Sequence, residues 1–130
     1  MAKLVLIVED NDDHAFFIET ALQHSGYRVA RVADGLAALP AVRSLRPELV
    51  VLDISLPGLT GWEIARGLSA DRELSQIPVI GVSSHHAPVE MASRGLTSYL
   101  RKPFDTRHLV AEANRLTRPR ADDSWDYIVA

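Results

Sequence analysis

Acidic side chains close two separate apolar runs of this chain. Asp53 ends Leu49-Val50-Val51-Leu52 and precedes Ile54-Ser55-Leu56-Pro57-Gly58, so its carboxylate is expected to project from a buried strand into a turn. Glu9 and Asp10 end Leu4-Val5-Leu6-Ile7-Val8. In a parallel sheet the C-terminal ends of neighbouring strands share one edge, where open α/β folds bind their ligands. Carboxylates brought together there raise one another's pKa unless a cation joins them. Their hard oxygen donors suit Mg²⁺ or Mn²⁺. Ser83, after Pro78-Val79-Ile80-Gly81-Val82, adds a hydroxyl, and Lys102, between Arg101 and Pro103, adds a fixed positive charge. Such a set can hold a phosphoryl group on a carboxylate, with Asp53 the residue expected to be modified.

Placing these groups on one edge requires alternating strands and helices. The apolar runs are short, rich in Val, Ile and Leu, and separated by segments with helical spacing, which predicts an α/β sheet rather than a sandwich. Strands are expected near 3–8, 27–32, 48–53, 78–83 and 97–101. Asn11 or Asp12 can cap a first helix with the stripe Phe17, Ile18, Ala21 and Leu22 inward and Gly26 as its stop. Phe16 falls nearly opposite that stripe, which leaves an aromatic ring in water. A second helix after Asp34-Gly35 has Leu36, Leu39, Val42 and Leu45 as its apolar face. Pro40 predicts a late start or a kink there. A third helix is expected from Gly61-Trp62 to about Ala70, and a last one from about Asp105, with Leu109, Val110, Ala113 and Leu116 inward, ending before Pro119.

Four motifs at expected strand ends carry a resemblance: Val8-Glu9-Asp10-Asn11, Leu52-Asp53-Ile54-Ser55-Leu56-Pro57-Gly58-Leu59-Thr60-Gly61, Pro78-Val79-Ile80-Gly81-Val82-Ser83 and Tyr99-Leu100-Arg101-Lys102-Pro103-Phe104. In this order they resemble the receiver domains of two-component response regulators, chemotaxis-type single-domain proteins among them, over roughly residues 3 to 117. The resemblance implies a flavodoxin-like, doubly wound five-stranded parallel sheet of order 2-1-3-4-5 with five helices. It implies that Asp53 is the nucleophile and phosphoacceptor. Asp10 and Asp53 would bind Mg²⁺ (or Mn²⁺) directly, Glu9 through water and Ser55 through its carbonyl, while Ser83 and Lys102 contact the phosphoryl group. Ser83 and Tyr99 would form the switch, although a half-buried strand aromatic is the ordinary reading of Tyr99. The Lys102-Pro103 bond would be cis, whereas X-Pro bonds as a class are mostly trans. A histidine kinase or histidine phosphotransfer protein would dock beside the first helix and the loop holding Pro103 and Phe104. Phe16 is then an interface anchor, or else a plain exposed residue. The segment from Ser83 to Lys102 is shorter than the family pattern by about one helical turn, so the fourth helix, between Pro88 and Gly95, is expected to be short or remodelled. Ser84 stands where that pattern has alanine.

Composition narrows the reading. At 130 residues the chain is expected to hold one receiver domain, 1–117, with a tail, 118–130, and no output domain. A net charge of −3 without a dense Lys/Arg stripe speaks against nucleic-acid binding. Absence of cysteine fits a reducing cytoplasm, and no apolar stretch approaches membrane-spanning length. His85 and His86 lack metal-ligand spacing. Trp125-Asp126-Tyr127-Ile128-Val129 reads either as a chain end or as a partner-binding or dimer-bridging segment of a monomer or weak dimer. The expected function is a stand-alone phosphoacceptor signalling domain, not an enzyme apart from promoting its own phosphorylation and dephosphorylation. Two alternatives stay open: a phosphorylation-independent adaptor, and a Mg²⁺-dependent aspartyl phosphohydrolase built on Asp10-Asn11-Asp12, where His14 stands in place of Thr or Val.

Overall fold

In the computed structural model, residues 2–56, 59–85 and 94–118 are described. Strands β1 (Leu4–Val8), β2 (Arg28–Val32), β3 (Leu49–Asp53), β4 (Val79–Ser83) and β5 (Ser98–Arg101) form one parallel sheet of order β2-β1-β3-β4-β5. The described helices are α1 (Asp12–His24), α2 (Ala38–Leu45), α3 (Gly61–Ala70) and α4 (Thr106–Leu116), with a 3₁₀ turn at Gly35–Ala37. This is the flavodoxin-like order, with every strand within a residue of its predicted bounds. The predicted helix between Pro88 and Gly95, the Pro57-Gly58 turn and the Trp125–Val129 segment lie outside the described residues. None of the described helices is long and apolar enough to cross a membrane.

Strands β1, β3 and β4 are apolar on both faces because the sheet is covered on both. Leu6, Val8, Val50 and Leu52 pack against Ala38 and Val42 of α2 and Ile64, Ala65 and Leu68 of α3. Val5, Ile7, Val51, Ile80, Val82 and Leu100 pack against Ile18 and Leu22 of α1 and Leu109 and Ala113 of α4. The strand period of two thus divides the core into two layers.

Helix phase differs from the expected stripes. On α1 the buried residues are Ala15, Ile18 and Leu22, whereas Phe17 is 52% exposed and Ala21 only partly buried. Asn11 caps this helix through the His14 amide, and the seam then runs through one narrow row. Phe17 lies to its side and meets the Phe104 ring at 6.5 Å. Phe16 is 69% exposed, as its position on the helix predicts. Leu36 and Leu45 are exposed rather than inward, whereas Val42 is buried and Leu39 partly buried as expected, and Ala38 joins them in the contact of α2. The cause is Pro40: it has no N–H, so it sits in the first turn of a late-starting helix, where that donor has no partner, and Leu36 is left in the 3₁₀ turn. Val110 and Leu116 of α4 are partly buried.

One junction bears directly on Asp53. A capping box between Thr60 and Glu63 starts α3, and the Gly61 amide donates to Ile54 O at 3.1 Å. A Cβ on Gly61 would lie 2.5 Å from Ile54 Cα and 2.6 Å from Asp53 O. Only glycine lets the helix approach the end of β3 so closely. Gly61→Ala is therefore expected to destabilise the fold by about 1–3 kcal/mol through overpacking against backbone. Denaturant unfolding measures this, and an unchanged midpoint would mean that the junction yields without cost.

Candidate functional site

Alternation along the strands determines which polar side chains meet. Ile7, Val51 and Leu100 all face the α1/α4 layer. Two residues further along each chain stand Glu9, Asp53 and Lys102, on the same side and at the same edge. Glu9 and Asp53 are buried, at 1% and 6% exposure, and Asp10 is exposed. A carboxylate oxygen from each of the three lies within 4.8 Å of the others. The Lys102 ammonium reaches between them, 3.2 Å from Glu9 Oε1 and 3.7 Å from Asp53 Oδ2.

The loop after β3 folds back over its own acid, because the Ser55 amide donates to Asp53 Oδ1 at 3.0 Å. Oδ2 is the oxygen turned toward the lysine. Ser83, 2% exposed, ends the adjacent strand, and the Lys102 amide donates to its carbonyl at 2.7 Å. The Lys102-Pro103 peptide is cis, as the resemblance implied. Tyr99 is partly buried and lies apart from the acids, its hydroxyl donating to His85 O at 2.8 Å. The His85 amide donates to Ser83 Oγ at 3.1 Å, so one residue links the two.

Two neighbours of the site escaped the sequence reading. His14 Nδ1 lies 3.3 Å from Lys102 Nζ and 3.8 Å from Glu9 Oε1. Its placement follows from the Asn11 cap, which puts the third helical residue over the strand ends. Arg31 of β2 donates through Nε and Nη2 to Glu9 O, at 3.0 and 2.9 Å. Its only signal is parity with Val29, which also faces the α1/α4 layer. On the outer side Phe17, Lys102, Pro103 and Phe104 line a hollow of about 380 Å³. Phe16, Phe17, Ala21 and Val110 line a larger groove of about 840 Å³ between α1 and α4.

Burial pushes the Glu9 carboxyl up to about 7, helped by a hydrogen bond to Asp53 and by that residue's charge, against the lowering effect of Lys102. The Glu9 carboxyl thus keeps its proton to a higher pH than an ordinary carboxylate does. The donor set is oxygen only, and an ammonium already sits among it, so the residues present fit a small hard cation such as Mg²⁺.

Comparison with known proteins agrees with this architecture. The sequence pattern of the response regulator receiver domain matches residues 5–114. The DNA-binding response regulator MtrA of Mycolicibacterium paratuberculosis is 34% identical over 95% of this chain, which spans only 55% of that protein's length. The polar-differentiation response regulator DivK of Brucella anthropi is 34% identical over 85% of this chain and 92% of its own. The receiver domain of sensor histidine kinase PA1611 from Pseudomonas aeruginosa superposes with a TM-score of 0.82 at 29% identity, covering 90% of this chain and 98% of that one. It was solved with a magnesium ion coordinated in its active-site cleft.

The raised Glu9 pKa sets a pH dependence. Between its ordinary value of 4.5 and about 7 the folded chain keeps a proton that the unfolded chain releases. Stability is therefore fully gained below that window and lost as pH rises through it. In chelator, unfolding free energy is expected to fall on the order of 1–3 kcal/mol across it. Glu9→Gln should flatten this slope in urea titrations at several pH values, and an equally steep slope in that variant would assign the proton elsewhere.

Proposed function

This chain belongs to the response regulator receiver family, and we propose that it accepts a phosphoryl group on Asp53 from a phosphohistidine protein in a Mg²⁺-dependent reaction, then signals by protein contact. The observation that carries this reading is the setting of Asp53: a nearly buried carboxylate with one oxygen held by the Ser55 amide and the other facing Lys102 beside Glu9 and Asp10. In this reading residues 1–117 form the phosphoacceptor unit. Asp53 Oδ2 forms the new bond to phosphorus as the P–N bond of the donor imidazole breaks. Glu9, Asp10 and Asp53 would hold Mg²⁺, which when bound neutralises charge on the transferring oxygens. Lys102 leaves its contacts with Glu9 and Asp53 to meet a phosphoryl oxygen, and Ser83 donates its hydroxyl to another.

Ser83 and Tyr99 then act as a linked pair. The Ser83 hydroxyl accepts from the His85 amide while Tyr99 donates to the His85 carbonyl. A Ser83 turned toward the phosphoryl group gives up the first bond, and the loop carrying the second is released with it. The exposed rings of Phe16 and Phe17 and the neighbouring Phe104 supply aromatic area for the donor protein beside the pocket.

Asp53→Asn is expected to reduce label from a small acyl phosphate to background with the fold retained, and mass spectrometry of the parent should place the label on Asp53. Full incorporation in the variant would sink the assignment. Phe16→Ala should slow transfer from the cognate histidine protein about fivefold or more, the loss of one anchor, while leaving the small donor unaffected. Equal transfer rates from the histidine protein would make Phe16 a bystander.

A further inference from the structure

We propose that Arg31 is a positioning residue for the acid pocket: its guanidinium, reaching from the edge strand, holds the Glu9 carbonyl so that Glu9 and Asp10 present to Asp53. The consequence for metal binding rests on the reading of the site given above. Two prongs of the guanidinium, Nε and Nη2, converge on Glu9 O at 3.0 and 2.9 Å, and the third nitrogen, Nη1, lies 2.9 Å from Asp12 Oδ1. One side chain thus ties the end of β1 to the first residue of α1 across the two residues between them, Asp10 and Asn11. It does so where the strand ladder stops. Val8 and Val32 are the last paired residues, the Glu9 amide still donates to Val32 O at 3.1 Å, and beyond that point β2 turns away to the Asp34 cap of the 3₁₀ turn. The Glu9 carbonyl is taken by a side chain from the departing strand.

Charge and geometry predict opposite signs for this residue. A cation beside an acid pocket opposes a second cation, so by charge alone removing Arg31 tightens divalent binding. Asp12 offsets that charge at 2.9 Å, however, while among the described residues no other group replaces the fork on the Glu9 carbonyl. The Asn11 amide reaches Glu9 Oε2 at 3.3 Å, a bond that holds the side chain but not the main chain of Glu9. Positioning groups one step behind a metal ligand are commonly worth 10–100-fold in affinity. Lysine cannot replace the fork, because its single ammonium lacks the planar pair of donors.

The test uses the full chain with Mg²⁺ alone, titrated calorimetrically against the parent, Arg31→Lys, Arg31→Gln and Asp12→Asn, with unfolding midpoints recorded for each. Amide exchange at Asn11 is followed in metal-free protein. Both Arg31 variants are expected to bind Mg²⁺ about tenfold more weakly at near-parent midpoints. Both should exchange the Asn11 amide faster, and Asp12→Asn should lose less affinity than either. Unchanged affinity in Arg31→Lys with tighter binding in Arg31→Gln would overturn the proposal in favour of a purely electrostatic role. A fall in midpoint with unaltered affinity would reduce Arg31 to a fold-stabilising residue. A parent that binds no Mg²⁺ would defeat the metal reading itself, and the Asn11 exchange would still decide whether Arg31 holds the turn.

Discussion

Two carboxylates buried at the ends of adjacent strands are the constraint around which this molecule is arranged. Neighbouring strands lie roughly 4.8 Å apart, and β1 and β3 are in register, so Glu9 and Asp53 cannot move away from one another without disrupting the sheet. Both are nearly out of water, where their repulsion is poorly screened. The ammonium of Lys102 opposes it, and burial beside Asp53 favours a proton on Glu9 as well. The two-sided apolar core supplies the rigidity that keeps the acids together. Binding strength at such a site comes partly from relief of a repulsion already built in.

The sheet also separates the proposed donor side of the site from its proposed output side. Glu9, Asp53 and Lys102 continue the strand rows that face α1 and α4, on whose outer surface Phe16 and Phe17 lie. Tyr99 belongs to the opposite layer, packed against the core that includes α2 and α3. Ser83 follows Gly81 on that same side of β4. In the proposed switch a change at the acids would reach the far layer through the strand end itself, since His85 bonds the hydroxyls of both Ser83 and Tyr99.

Strands and the acid cluster were legible in the sequence because both faces of a parallel sheet are buried. Continuous runs such as Leu49–Leu52 mark a strand without any choice of phase, and a carboxylate ending such a run has only the sheet edge to go to. Helices needed more than periodicity. Each has only one buried stripe, so a small rotation set by a cap or by Pro40 moves Phe17, Leu36 or Leu45 from inside to outside. Arg31 and His14 could not be placed at the site from the sequence for a different reason. Neither ends an apolar run, and their contacts with Glu9 and Lys102 join positions 22 and 88 residues apart, which no local pattern encodes.

In the proposed reaction, the charge of the product state explains why one lysine would not be enough. With all three acids ionised and Lys102 among them, the pocket is already negative. Converting Asp53 to an acyl phosphate, as proposed, would replace a single negative charge with nearly two, spread over three oxygens in the same space. A proton on Glu9, which its raised pKa favours, would not help here, because a protonated carboxyl is a poorer ligand for a hard cation. A proton and a divalent cation would thus be alternative ways of neutralising the same acids, and only the cation would have charge to spare for a phosphoryl group. In that reading Lys102 would be free to move from the carboxylates to a phosphoryl oxygen without leaving Glu9 uncompensated, since Glu9, Asp10 and Asp53 would hold a cation in its place.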